Sequence, residues 1–142
     1  MKLTIEEAYK AMFVFLDEIY KQTKSEDMGC LLGGMEFLAS DNLPAVPECW
    51  EIWLECVEKN KKDSQLTPEE AYKAMISFLY ENYKQTQSKD INNLLHKMKL
   101  ISDDNLPSDS TFRKTWLECV KKVKKGEIDI IKVFIKKTKG FE

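Results

Sequence analysis

The stretch LTIEEAYKAMFVFLDEIYKQTKS, residues 3–25, recurs as LTPEEAYKAMISFLYENYKQTQS at residues 66–88. The likeness continues further, so that residues 3–62 align with residues 66–125 without a gap at an offset of 63, and 33 of the 60 aligned positions are identical. Repetition on this scale indicates an architecture built from two copies of one unit. A unit of about 60 residues buries a smaller share of its surface than a chain of about 150, so we expect the copies to pack together.

Each repeat opens with the signals of a helix start. The pairs Thr4 with Glu7 and Thr67 with Glu70 have the spacing of a capping box, in which two side chains satisfy unpaired main-chain amides. Apolar residues then recur at steps of three and four, which is the period of an α-helix. They are Ala8, Met12, Phe15, Leu16 and Ile19, matched by Ala71, Met75, Phe78 and Leu79. Beside them, the pairs Tyr9/Tyr72 and Tyr20/Tyr83 are expected to bury their rings and to keep their hydroxyls at the edge.

A second, shorter helix follows in each repeat, capped by Ser25 or Ser88 and running to about residue 38 or 101. In repeat one this helix contains three glycines, and each costs up to about 1 kcal/mol relative to alanine in a helix interior. We therefore expect it to be the weaker helix, or something to pack very close to it. A phosphate-binding loop is not favoured, because the GxxxGG of residues 29–34 neither follows a strand nor precedes GK[ST].

A turn and a third helix complete the repeat. Asx residues and proline at 41–44 and 104–107 predict the turn. The third helix is predicted over about 47–61 and 110–125. Its buried stripe consists of Trp53, Cys56 and Val57, matched by Trp116, Cys119 and Val120. The tryptophans are predicted to anchor the core rather than to stack on a ligand, because they are unchanged where the surrounding charges change sign.

The fold class predicted from these patterns is all-α, with two tandem three-helix modules packed as a pseudo-two-fold helical bundle. The modules are residues 1–63 and residues 64–125, and residues 126–142 form an extension with no counterpart in repeat one. Gly126 is suited to end the last helix of repeat two. The β-branched content of the extension favours a strand. No other strand is predicted to pair with it, so we predict an extra closing helix, with an exposed strand as the alternative.

The two repeats differ in charge. Residues 1–63 hold 13 acidic and 7 basic residues, a balance of −6, whereas residues 64–142 hold 11 and 15, a balance of +4. Such asymmetry between halves points to partners rather than to the fold. Four glutamates of repeat one align with lysines of repeat two: Glu26 with Lys89, Glu36 with Lys99, Glu51 with Lys114, and Glu58 with Lys121.

The sequence lacks the usual arrangements of catalytic residues. It has one histidine, His96, and neither GxSxG nor HExxH. The paired acids at 6–7 and 69–70 lie in first helical turns, where carboxylates offset the helix dipole. The four cysteines form no CxxC pair, so reduced, core-filling thiols are favoured over a metal or redox site. We predict no enzymatic activity, no metal and no cofactor.

Nucleic acids and membranes are not predicted as partners. The C-terminal third is rich in lysine, but Arg113 is the only arginine, whereas base and bidentate phosphate contacts favour arginine. No run approaches 18 apolar residues, so no membrane span is predicted. Acidic residues near the start interrupt any signal-peptide pattern. We expect a cytoplasmic protein.

The stretch EEAYKAMFVFLDEIYKQTKSEDMGCLL, residues 6–32, precedes an acidic proline turn and a W-x-x-W-L-E-C-V helix at 50–57. This pattern resembles small helical immunity proteins encoded beside bacterial polymorphic toxins, including the contact-dependent growth inhibition type. The likeness is closest at Tyr9, Phe15, Leu31-Leu32 and Trp53 and at their repeat equivalents. It implies an inhibitor that binds one cognate toxin and blocks its active site, and the toxin is expected to be a nuclease, as many such toxins are. The duplication and the basic tail depart from the usual form and leave open which repeat binds.

Residues peculiar to repeat one are the candidates for such an interface. An acidic face suits the positive cleft of a nuclease, and an aromatic residue beside acids suits an interface hot spot. The candidates are Asp17, Glu26, Glu36, Glu48, Trp50, Glu51 and Glu58. The alternatives are that these acids are merely solvated or meet lysines of repeat two inside the chain. A helical scaffold or adaptor, or a self-associating module, is the alternative function. We expect a monomer or a weak homodimer.

Overall fold

The structure is a computed structural model, and it describes residues 1–35, 47–98 and 110–126. These residues form six helices: α1 (Ile5–Thr23), α2 (Glu26–Met35), α3 (Pro47–Asn60), α4 (Pro68–Thr86), α5 (Lys89–Met98) and α6 (Ser110–Lys124). No strand occurs in these ranges, and the one extended pairing described is an antiparallel bridge between Leu3 and Leu66. The all-α class is therefore confirmed. The predicted turns and the extension after Gly126 lie outside the described residues.

The predicted capping boxes begin α1 and α4. Thr4 Oγ1 accepts the amide of Glu7 at 3.0 Å, and Glu7 Oε1 accepts the amide of Thr4 at 2.9 Å. Thr67 and Glu70 repeat this exchange at 3.1 and 2.8 Å. Each box satisfies two amides that a helix start leaves without an internal partner. The same local chemistry therefore fixes the start of both long helices.

Ser25 and Ser88 cap the second helices and also join the two repeats. Each Oγ accepts the amide three residues further on, at 3.3 Å in α2 and 3.2 Å in α5. The Ser25 hydroxyl donates to Asp90 and the Ser88 hydroxyl donates to Asp27, both at 2.6 Å. Because each serine bonds to the aspartate of the other repeat, the starts of α2 and α5 are held together.

The third helix of each repeat packs against the first helix of the other repeat. α3 lies along α4, and α6 lies along α1. Within a repeat, the third helix reaches the first through an indole, since Trp53 Nε1 donates to the Ile5 carbonyl at 3.2 Å and Trp116 Nε1 to the Pro68 carbonyl at 3.1 Å. The alignment of the repeats did not predict this exchange of helices. A repeat reveals what each copy contains but not which copy a helix packs against.

The two tryptophans lie at the centre of the exchanged packing. Both indoles are fully buried. The ring of Trp53 lies edge-on to Phe78 with centroids 6.2 Å apart, and the ring of Trp116 lies edge-on to Phe15 at 5.8 Å. The prediction that these residues anchor the core is confirmed.

The expectation that the tyrosine hydroxyls lie at the edge was wrong for Tyr9 and Tyr72. Tyr9 and Tyr72 are 0% exposed, and their hydroxyls donate to the carbonyls of Met35 and Met98 at 2.9 and 3.2 Å. The spacing placed the rings correctly beside the apolar stripe. It did not show that a main-chain carbonyl of the second helix would lie within reach and satisfy a buried hydroxyl.

The glycines of α2 have different surroundings. A Cβ built on Gly29 would lie 3.2 Å from Cε1 of Tyr20, so a neighbouring ring does pack very close there. A Cβ on Gly33 would meet nothing within 4 Å. The close approach that the glycines predicted is thus confirmed at Gly29 and does not explain Gly33.

Replacing either buried indole should destabilise the protein strongly. Trp53→Ala and Trp116→Ala are each expected to lower the free energy of unfolding by about 3–5 kcal/mol, because each leaves a cavity and removes the hydrogen bond from the indole. Urea unfolding measures this loss. Tyr80→Ala is the control, since Tyr80 is 52% exposed and a change there should stay within about 0.5 kcal/mol. Losses below about 1 kcal/mol at both tryptophans would contradict the core assignment.

A fragment of residues 1–63 should not form a stable monomer. It lacks α4 and α6, the helices against which α3 and α1 pack, so the faces around Trp53 and Phe15 would be exposed to water. Circular dichroism and light scattering across a dilution series test this expectation. A helical, monomeric fragment with cooperative unfolding would contradict it.

Candidate functional site

Four glutamates form a stripe along one exposed face of α3. Successive members are three, four and three residues apart, which keeps them on one side of the helix, and all four are exposed. At 1.5 Å per residue the stripe is about 15 Å long. The acidic stripe consists of Glu48, Glu51, Glu55 and Glu58.

The equivalent face of α6 carries a different charge. It presents Thr111, Lys114, Glu118 and Lys121, all exposed. Two lysines and one glutamate give +1, against −4 for the acidic stripe. Comparison of the repeats missed Glu55, because both repeats have glutamate at that position. The helical spacing of the acids was the signal that could have revealed it.

The structure brings some of the predicted interface residues together and separates others. Glu48, Glu51 and Glu58 lie on the acidic stripe, whereas Glu26 is the exposed first residue of α2. Asp17 lies on α1, the helix that packs against α6, and forms an ion pair with Lys21 at 3.4 Å. Glu36 lies outside the described residues. The interface predicted as one set is therefore distributed over at least three helices.

Trp50, a predicted interface residue, lies between the core and the surface. It is half-buried on α3, and its ring lies edge-on to Tyr9 with centroids 5.2 Å apart. This contact holds the indole next to the acidic stripe and leaves part of it accessible. Trp50 therefore contributes both to the core around Tyr9 and to the surface beside Glu51.

Ion pairs do not remove the charge of the acidic stripe. Glu58 pairs with Lys61 of the same repeat at 2.9 Å, and exposed pairs of this kind contribute at most about 1 kcal/mol. A cross-repeat pair joins Lys124 to Glu7 at 3.2 Å, but Glu7 is an acid that both repeats share. Neither contact is one in which an acid peculiar to repeat one meets a lysine of repeat two.

A groove opens beside the acidic stripe, between α2, α3 and the C-terminal end of α4. Its volume is about 250 Å³. Two exposed carboxylates lie at its mouth and buried apolar side chains at its base. The hydrogen bond from Ser88 fixes one of these carboxylates, that of Asp27. Groove one, as we call it, is lined by Asp27, Cys30, Gly34, Glu48, Cys49 and Phe78, among others.

A second groove is lined by residues equivalent to those of groove one. Groove two has a volume of about 270 Å³, and nine of its ten lining residues are the repeat equivalents of residues that line groove one. They include Asp90, Asn93, Lys97 and Phe112, which are the repeat equivalents of Asp27, Cys30, Gly34 and Cys49. The charged lining residues of groove one are Asp27 and Glu48, giving −2. Those of groove two are Asp90 and Lys97, giving 0.

The prediction that the cysteines fill the core is confirmed for Cys56 and Cys119 and wrong for Cys30, which is exposed. Burial, aided by the charge of Glu48, raises the pKa of Cys49. Burial likewise raises the pKa of Cys56 to about 11 and that of Cys119 to about 12. Since the thiolate is the nucleophile and the metal ligand, these three thiols are poorly suited to either role at neutral pH. Over residues 1–35, 47–98 and 110–126, no group of three or more His, Cys, Asp or Glu side chains is placed to hold a metal ion.

Comparison with known proteins does not identify the chain. No protein-family model, no curated protein and no solved structure matches it. None of the helices in the described ranges has the length and apolar character needed to cross a membrane. The function is therefore argued from the charged face and the grooves themselves.

Alkaline pH should test the burial of the two core thiols. The folded pKa values of Cys56 and Cys119 lie above the ordinary value of 9.0, so their contribution to stability is complete below about pH 9 and is lost as the pH rises toward 11 and 12. We expect the free energy of unfolding to fall less steeply above about pH 9 in the Cys56→Ala/Cys119→Ala variant than in the native chain. Urea titrations at several pH values measure this slope. Equal slopes in the two proteins would contradict the prediction.

Proposed function

We propose that this protein is an immunity protein that binds and neutralises a cognate bacterial toxin through the acidic stripe of α3. The observation that carries the proposal is the line of four exposed glutamates on α3, at positions where α6 carries +1. Nucleases hold their substrate in a positively charged cleft. An acidic helix face of about 15 Å is complementary to such a cleft and would exclude the nucleic acid from it. Neutralisation of this kind needs binding alone and no chemistry by the inhibitor.

The charge of the stripe would act mainly on the speed and selectivity of binding. Electrostatic steering raises association rates from about 10⁵–10⁶ M⁻¹s⁻¹ to as much as about 10⁸–10⁹ M⁻¹s⁻¹ at low salt. It also rejects partners whose surfaces are acidic. At physiological ionic strength charges are screened over about 8 Å, so the stripe would act at close approach. The accessible part of Trp50 beside the stripe supplies apolar contact area of the kind that slows dissociation.

We further propose that the two three-helix modules are related by a pseudo-two-fold axis at the bridge between Leu3 and Leu66. Leu3 N donates to the Leu66 carbonyl at 2.7 Å, and Leu66 N donates to the Leu3 carbonyl at 2.8 Å. A residue that pairs reciprocally with its own repeat equivalent is what such an axis requires. The crossed serine–aspartate bonds and the two indole hydrogen bonds, each recurring at an offset of 63, also support this arrangement.

Reversing charge on the acidic stripe should impair neutralisation. Glu51→Lys combined with Glu58→Lys gives α3 the residues that α6 carries. We expect this variant to lose protection against the toxin encoded by the neighbouring reading frame and to associate with it about tenfold or more slowly. Survival on co-expression and stopped-flow binding measure the two effects. Both positions are exposed, so the fold should change in stability by no more than about 0.5 kcal/mol.

The matched control reverses the equivalent positions on the other helix. Lys114→Glu combined with Lys121→Glu changes the same number of charges on α6 and should leave protection intact. Adding Trp50→Ala to the stripe variant should weaken binding further. If that triple variant protects as well as the native chain, the acidic stripe is not the interface.

A second candidate function is self-association. The acidic stripe presents −4, while α6 exposes Lys114, Lys121 and Lys122, so one copy's acidic stripe is complementary to another copy's α6. Sedimentation velocity at low and high salt separates this function from the first. Salt-sensitive oligomers that disappear in both charge-reversal variants would favour self-association, whereas a monomer at low salt would exclude it.

A further inference from the structure

The two grooves share a framework but differ at the base. In groove two the ring of Phe112 lies edge-on to Phe15 with centroids 6.0 Å apart, and Phe15 does not line that groove. In groove one Cys49 occupies the position equivalent to Phe112. Phe78, the equivalent of Phe15, then lines groove one together with Ile52. Both grooves therefore have an apolar base with an aromatic ring, but the ring belongs to Phe112 in groove two and to Phe78 in groove one, where the smaller Cys49 replaces Phe112.

The mouth of groove one carries negative charge in fixed positions. Asp27 accepts the Ser88 hydroxyl at 2.6 Å, which orients its carboxylate and leaves capacity for further hydrogen bonds. Glu48 lies at the same mouth and begins the acidic stripe. In groove two Lys97 replaces Gly34, so a cation lines the same groove as Asp90. Groove one thus combines an apolar base with a charge of −2 at its mouth.

We propose that groove one is a pocket for a single arginine side chain of a partner protein. The methylene groups would contact Leu31, Ile52 and Phe78, and the guanidinium group would meet the carboxylates of Asp27 and Glu48. A volume of about 250 Å³ is below the roughly 300–1,000 Å³ of sites for drug-sized ligands, which suits one long side chain. Arginine is favoured over lysine because its guanidinium is planar, weakly hydrated and able to pack on an aromatic ring. This inference rests on the proposed function for the identity of the partner but not for the chemistry of the pocket.

Binding can be measured without the partner. The probe is N-acetyl-arginine amide, titrated into the full ¹⁵N-labelled chain and followed by amide chemical shifts. We expect saturable shifts at residues 30, 31, 34 and 49, and an affinity about tenfold or more higher than at the equivalent residues 93, 94, 97 and 112. N-acetyl-norleucine amide and N-acetyl-glutamate amide, which are neutral and anionic, should bind about tenfold or more weakly than arginine at groove one. Equal shifts in both grooves, or equal binding of the three probes, would overturn the proposal.

Substitutions between the grooves provide matched variants. Cys49→Phe installs the ring that groove two carries and should lower arginine affinity at groove one about tenfold or more. Phe112→Cys combined with Lys97→Gly opens groove two and removes its cation, and should create arginine binding there. Asp27→Asn keeps an oxygen that can accept the Ser88 hydroxyl but removes the charge, so it tests the pocket even if Cys49→Phe does not fold. Unchanged arginine binding in the folded variants would overturn the proposal.

The pocket and the proposed function can fail separately. If arginine binds groove one while the Glu51→Lys/Glu58→Lys variant keeps full protection, the pocket stands and the function proposed for the acidic stripe falls. If that variant loses protection while arginine does not bind groove one, the pocket falls and the acidic stripe stands.

Discussion

The indole of Trp53 donates its N–H to Ile5 of its own repeat and packs its ring against Phe78 of the other repeat. Trp116 makes the corresponding contacts with Pro68 and Phe15. Each tryptophan therefore holds the start of one long helix and the middle of the other. Because every third helix needs both repeats to bury its apolar face, neither repeat completes a core by itself. For this reason each third helix packs against the first helix of the other repeat. Groove one lies where α3 meets α4 in this packing.

Groove one shows how closely the candidate site depends on that arrangement. Asp27 and Glu48 come from repeat one, whereas Phe78 at the base and Ser88 at the mouth come from repeat two. The hydrogen bond from Ser88 to Asp27 joins the starts of the two second helices, and it also orients a carboxylate that lines the groove. Structural and binding roles are thus combined in the same contacts. The acidic stripe, by contrast, depends only on the helical spacing of α3.

Features encoded by neighbouring residues were predictable from the sequence. The capping boxes, the bounds of α3 and α6, and the burial of Trp53 follow from short-range chemistry and helical period. Features that depend on distant residues were not. The hydroxyl of Tyr9 bonds to a carbonyl 26 residues away. That Cys49 lines a groove together with Phe78 could be seen only in the folded chain. Glu55 was missed for another reason, since a search for differences between repeats discards what they share.

The short connection between α3 and α4 has a consequence for how such a site can change over generations. Were the same core assembled from two identical single-repeat chains, any replacement would appear twice, once on each side. A single gene that encodes both halves removes that coupling. Residue 112 can be a phenylalanine while its counterpart at 49 is a cysteine, and α3 can carry acids at positions where α6 carries lysines. Tandem duplication thus lets one half diversify toward a new ligand while the other half retains its own surface, and the shared core is preserved throughout.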